Sequence, residues 1–167
     1  MQQSKIENYL AERQAQTSLP IGLYALVDAL LYERRTHPAA LKRSEAAIAL
    51  FEGTADASLA DAGPWLLDFE HVSADMRRTL LELAASTDGV SWLISAYPFP
   101  SLAQELRERL DVRMPDGRTA LLRFYDARLI IDIAGLLSLS QRAEFFSPTI
   151  DWLTEIAGEL SRVHPYA

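Results

Sequence analysis

Apolar positions change their spacing along this chain, and each change marks an element. Ile6, Tyr9, Leu10 and Arg13 recur at helical intervals, which predicts an opening amphipathic helix that ends at Pro20 and Gly22. Leu23 to Val27 is an unbroken apolar run, the mark of a short strand buried on both faces. Asp28 closes it, and Ala29 to Arg35 predicts a helix. Ala39 to Phe51 is rich in helix formers, yet Ile48 to Phe51 reads equally well as a strand. Gly53 to Gly63 is a loop of small and acidic residues, and Pro64 to Phe69 is a second strand entered through a Gly-Pro turn.

Beyond it, Ser73 is placed to cap a helix reaching about Ser86, with Asp75 in its first turn and Met76, Leu80, Leu83 and Ala84 as its inner stripe. Asp88-Gly89 ends that helix, and Val90 to Ala96 predicts a third strand. Ser101 and Gln104 have the spacing of a capping box, which predicts a helix over Leu102 to Leu110. Asp111 to Met114 and Thr119 to Tyr125 flank Pro115-Asp116-Gly117, the clearest hairpin signal in the chain. Ala127 to Leu139 predicts a helix. Ser147-Pro148 opens a last one, with Ile150, Leu153, Ala157, Leu160 and Val163 on one stripe. The sum is an α/β (α+β) fold with a mixed, partly antiparallel sheet, surrounding helices and a helical C-terminal part. The chain reads as a single domain over 1–167, with the sheet in 22–125 and helix in 126–167.

Composition narrows the class. The chain has 167 residues, 49% apolar and 23% charged, enough to bury a core and too apolar for disorder to dominate. Its apolar runs are too short for a membrane span, and Met1 to Gln16 holds no apolar signal region, so a cytoplasmic, membrane-free protein is expected. With no cysteine, thiolate catalysis, disulfides and cysteine-bound metals are excluded. The formal charge is −7. Seven acids and no Lys or Arg lie between Ser44 and Asp75, while the remainder balances, so the whole excess comes from that stretch. It reads as a solvated surface, and nucleic acid, which needs a basic face, is not an expected partner.

Catalytic chemistry finds little support. His37, His71 and His164 show no ligand spacing. The seven glycines stand singly, so no phosphate-cradling loop exists, and no nucleophile elbow is present. No catalytic, cofactor or metal residue is therefore assigned. Asp111, Asp116, Asp126 and Asp132 around the hairpin are the best acid–base set, but an Asp-Gly turn explains Asp116 and a capping position explains Asp126. Arg123-Phe124-Tyr125-Asp126-Ala127-Arg128 is the densest constellation. Arg123 is expected to pair with Asp126 or Asp28, and Arg123, Tyr125, Asp126 and Arg128 to shape the junction after the last strand.

A series of pieces then fits a known pattern: Leu23 to Ala29, Ala49 to Gly53, Gly63 to Leu66, Ser101-Leu102 leading to Leu106-Arg107, Pro115 to Arg118, and Leu122 to Arg128. In this order they resemble the domain-of-unknown-function 4123 family, the adaptor chaperones of bacterial type VI secretion, from about Gly22 to Trp152. The resemblance implies a non-enzymatic protein that binds a toxic effector in the producing cell and aids its loading onto a VgrG-type spike protein. Two departures stand out: many members carry a longer helical C-terminal lobe, and the proline of their Asp-Pro-Arg motif is Ala127 here.

Phe145, Phe146, Trp152 and Tyr166 lie beyond the predicted sheet, in a region with more apolar groups than one short helix hides. They are the expected effector-binding surface. Two other readings compete: a small-metabolite enzyme using the hairpin carboxylates, and an immunity protein neutralising a toxin.

Overall fold

The computed structural model describes residues 2–34, 39–86 and 88–165. Helix α1, Lys5–Gln16, begins at a capping box in which Ser4 and Glu7 each bond the other's backbone N–H, and it buries Ile6 and Leu10. Strand β1, Gly22–Asp28, is buried from Leu23 onward, as its apolar run requires. Asp28 then caps the short helix α2, Ala29–Glu33, by accepting the Leu30 N–H at 3.0 Å. The ambiguous segment 39–51 contributes one short strand, β2, Ala47–Ala49. The loop after it contains a single 3-10 segment, Ala57–Ala62. Strand β3, Pro64–Asp68, helix α3, Ala74–Ala84, with its Ser73 cap, and strand β4, Val90–Ser95, all fall where the spacing places them.

Helix α4, Phe99–Glu108, starts earlier than predicted. Pro98 is the N-cap residue and Pro100 sits in the first turn, where a missing N–H costs nothing, so Ser101 lies inside the helix and caps nothing. Strands β5, Asp111–Arg113, and β6, Thr119–Leu121, form the expected hairpin, with Val112 opposite Ala120. The second arm stops at Leu121 rather than Tyr125. The backbone turns there, and the Asp126 N–H reaches the Arg123 carbonyl at 3.2 Å. The predicted helix 127–139 is shorter than expected, and a further helix follows it over a stretch for which the spacing predicts no element. Helix α5, Ile130–Leu136, breaks at Leu137, and Ser138 starts helix α6, Leu139–Phe146, through a second capping box with Gln141.

The end of the chain differs most from expectation. Residues 150–163 are not helical. They form β7, Asp151–Ile156, and β8, Glu159–His164, joined by Ala157 and Gly158 at φ +51° and +81°. Two successive left-handed residues give a hairpin turn whose twist matches the strands. Its N–H groups also serve another purpose. Ala157 donates to the Ser86 carbonyl and Gly158 to the Ala84 carbonyl at 3.0 Å, which satisfies the free C-terminal end of α3.

The main sheet has six strands in the order β2-β3-β1-β4-β7-β8, and every registered pair is antiparallel. The class is α+β as expected, and the sheet takes its last two strands from the part predicted to be helical. Alternation sorts its faces. Leu23, Ala25, Trp92 and Leu153 point one way, together with Asp151. Helix α1 is tied to this face where buried Asp151 accepts Arg13 Nε at 2.7 Å and the Tyr9 hydroxyl at 3.2 Å. Tyr24, Asp28, Leu93 and Trp152 point the other way. There Tyr24 stacks on Phe99 of α4, with centroids 5.6 Å apart, and Trp152 meets the chain between β6 and β7.

Candidate functional site

The segment following β6 is held to the sheet by a charged junction. Asp126 is buried, with 2% of its side chain exposed, and it accepts from Arg128 Nε at 3.0 Å and Nη2 at 2.8 Å, a two-pronged grip. The Arg128 backbone N–H adds a third bond at 2.9 Å. Arg123 lies between two carboxylates, 3.5 Å from Asp28 at the end of β1 and 3.8 Å from Asp126. Both alternatives for the Arg123 partner are thus realised, one close and one longer. Burial opposes ionisation of Asp126, but the Arg128 hydrogen bonds and the charges of Arg128 and Arg123 outweigh it and hold the carboxyl below its usual range. Burial pushes the buried Tyr125 hydroxyl up. The junction is a strut between β1 and the chain entering α5, and Ala127 is buried within it.

The aromatic residues expected on the surface are mostly inside. Phe146 and Trp152 are fully buried and Phe145 is half-buried. Trp152 contacts Phe124, Phe145 and Phe146 with centroids 5.9, 5.9 and 5.4 Å apart, and Phe146 stacks on His164 at 4.8 Å. The reason is the C-terminal hairpin. Because β7 pairs with β4, Trp152 points into the layer beneath α6 instead of lying on a solvent-facing helix. Tyr166 lies outside the described residues. A docking surface made of the Phe146 and Trp152 side chains is therefore replaced by a core cluster.

Exposed apolar groups occur one turn away. At the corner between α5 and α6, Leu136 is 85% and Leu139 88% exposed, and Ile131 on α5 is half-exposed. Leu137, between the two leucines in sequence, lines a groove of about 430 Å³ bounded by α4, the β5–β6 hairpin and α6. Spacing alone does not mark these residues as a site, because a helix running unbroken to Leu139 absorbs them into its own stripe. The capping-box pair Ser138 and Gln141 is the signal that breaks that helix and turns the leucines outward.

Two of the four carboxylates around the hairpin are engaged by arginines. Asp116 is exposed in its turn and bound to Arg118, while Asp126 is committed to Arg128. His71 is exposed against Asp68 at 2.9 Å, His164 is packed on Phe146, and His37 lies outside the described residues. Among the described residues, no group of three or more His, Asp or Glu is placed to hold a metal ion. Of the acidic stretch, Arg43 engages Glu52 and Asp61 and sits over the Trp65 ring. Its acids form part of a solvated, partly self-paired surface. Among the described residues no helix is long and apolar enough to cross a membrane.

A family model, described as a domain of unknown function (DUF4123), matches residues 23–144. The chain belongs to the DUF4123 family. No curated protein and no solved structure was found to match it. The DUF4123 segment runs from β1 into α6, so it contains the Arg123–Asp126–Arg128 junction, the leucine corner and the lining of the groove except Phe145. Helix α1 and the β7–β8 hairpin lie outside it and are fastened to each other. Besides the Asp151 bonds, Lys5 Nζ donates to the Gly158 carbonyl at 2.7 Å. In this DUF4123 protein the two flanks thus close around the shared segment and bury Trp152 against it.

Proposed function

We propose that this DUF4123 protein is a non-enzymatic adaptor that binds a type VI secretion effector in the cytoplasm and aids its loading onto a VgrG-type spike protein. Family membership supports the reading, and the observation that carries it is the leucine corner. Leu136 and Leu139 together expose two large aliphatic side chains at a helix–helix turn, where a folded chain gains nothing by displaying them. Such groups contribute free energy when a partner covers them. The buried Asp126–Arg128 junction anchors the chain entering α5, which limits the ordering cost of binding.

The experiment is co-purification from the native host, with the retained proteins identified by mass spectrometry. The expected result is recovery of an effector together with a spike protein. Leu136→Asp/Leu139→Asp is expected to keep the wild-type unfolding temperature, because exposed substitutions change stability by no more than about 0.5 kcal/mol, and to lose at least tenfold in retained effector. Recovery of neither effector nor spike by the wild-type protein refutes the adaptor reading. Recovery of a toxin without a spike, together with protection of cells expressing that toxin, supports an immunity protein instead.

A further inference from the structure

The groove beside the leucine corner has a composition that selects its occupant. Its floor is apolar, with Val112 and Leu122 from the hairpin region and Leu137 and Phe145 from the α5–α6 region, all half-buried. Phe145 is fixed there by edge contact with Phe124 at 5.5 Å. The rim is acidic. Glu105 is the one rim carboxylate with an arginine on the groove wall: Arg109 Nη1 reaches it at 2.8 Å. Further Arg109 donors go to the backbone, with Nε to the Phe145 carbonyl at 2.9 Å and Nη2 to the Glu144 carbonyl at 3.0 Å, and Nη2 also reaches the Ser147 hydroxyl at 3.4 Å. Arg109 therefore works as an inner brace between α4 and the end of α6. Glu108, Asp111 and Glu144 are exposed along the rim, and among the described residues lining the groove Arg109 is the one basic side chain.

We propose that this groove is the seat of a basic amphipathic segment of the protein partner, with aliphatic or aromatic side chains on the Val112–Leu122–Leu137–Phe145 floor and Lys or Arg facing Glu108, Asp111 and Glu144. Apolar burial supplies affinity, and the carboxylate rim supplies orientation and rejection of acidic segments. Leu137 belongs to both the groove and the leucine corner, so one amphipathic helix laid in the groove also covers Leu136 or Leu139. The inference rests on the adaptor reading only for the partner's being a protein.

The test uses the full chain, isotopically labelled and titrated with two synthetic helical peptides. One is built of leucine and lysine, and the other carries glutamate at every lysine position. The leucine–lysine peptide is expected to shift the resonances of Val112, Leu137 and Phe145 and to bind at least tenfold more weakly at high salt. The leucine–glutamate peptide leaves them unmoved. Glu108→Lys/Glu144→Lys is expected to reverse that preference. Asp111→Lys, on the hairpin rather than the helices, gives a tenfold weakening on its own and keeps the question decidable if the double variant does not fold. Equal binding of the two peptides, shifts confined to other surfaces, or undiminished leucine–lysine affinity in the folded variants overturns the proposal. The adaptor reading is separable. Folded reversal variants that retain the effector as well as wild type does overturn the groove and leave the adaptor standing. A wild-type protein that retains no effector refutes the adaptor, while the peptide titration still decides the groove.

Discussion

Replacing Trp152 by alanine is expected to cost about 3–5 kcal/mol, the range for emptying a fully buried large aromatic site. For a chain of this length that lowers the unfolding temperature by roughly 6–20 °C. The side chain has no exposed surface and touches three phenylalanines from two segments: Phe124 after β6, and Phe145 and Phe146 at the end of α6. Backbone pairing with β4 and β8 fixes β7, so the site cannot collapse to fill the space. Trp152→Phe keeps part of the contact and is expected to cost about half as much. Urea unfolding with far-ultraviolet circular dichroism measures both. A residue that served as a docking group would show the opposite behaviour, with stability unchanged and partner binding lost. An unfolding midpoint for Trp152→Ala equal to that of wild type would mean that the tryptophan is not in the core.

The same tryptophan shows where the amino-acid pattern stops specifying the fold. Leu23–Val27 is legible because an unbroken apolar run of that length must be covered on both sides, and Val90–Ser95 because β-branched and aromatic residues follow the Asp88-Gly89 break. The 111–121 hairpin is legible because Asp116-Gly117 supplies its turn. The final hairpin is hidden by two coincidences. Ile150, Leu153, Ala157, Leu160 and Val163 repeat at helix-like intervals, although Leu153 and Val163 are strand residues and Ala157 is in a turn. The turn itself places alanine at φ +51°, where asparagine or glycine normally announces a hairpin. What compensates lies far away in sequence: the carbonyls of Ala84 and Ser86 that receive the turn's N–H groups.

The candidate site divides along the same line. Arg123, Asp126 and Arg128 are legible as a unit because their interactions are nearly all within five residues, and Asp28 is the one distant member. The leucine corner is not legible from periodicity, since Leu136, Leu137 and Leu139 fit a continuing helix until Ser138 and Gln141 are recognised as the start of another. The acidic rim is not legible at all. Glu108, Asp111 and Glu144 come from α4, β5 and α6, and only the packing of the hairpin between those helices assembles them. A docking surface built from three elements leaves no spacing in the chain to find.

Asp126→Ala is expected to have the second-largest effect on stability, about 2–3 kcal/mol or roughly 4–12 °C in unfolding temperature. Removing half of a fully buried ion pair costs more, about 3–5 kcal/mol. Here Arg123 and Arg128 are each half-exposed and recover hydration when the carboxylate is gone, which lowers the cost. The three positions are therefore not equivalent. Arg128→Ala removes the two-pronged grip and leaves a buried carboxylate with Arg123 at 3.8 Å, and is expected to cost about 1–2 kcal/mol. Arg123→Ala removes the two longer ion-pair contacts and an interaction with the Tyr125 hydroxyl, and because the guanidinium is half-exposed it is expected to cost less than about 1 kcal/mol. The pH dependence has a definite sign. Asp126 titrates below its ordinary 3.8 in the folded chain because Arg128 and Arg123 outweigh its burial, so its stabilisation is complete above 3.8 and is lost as pH falls through the lower folded value. Asp126→Asn, which keeps the shape without the charge, should be clearly less stable than wild type at pH 7, with the difference shrinking below about pH 4. Thermal unfolding of both proteins between pH 3 and 7 measures this. A gap that stays constant across the series would show that the carboxylate contributes through its shape and hydrogen bonds rather than through its charge.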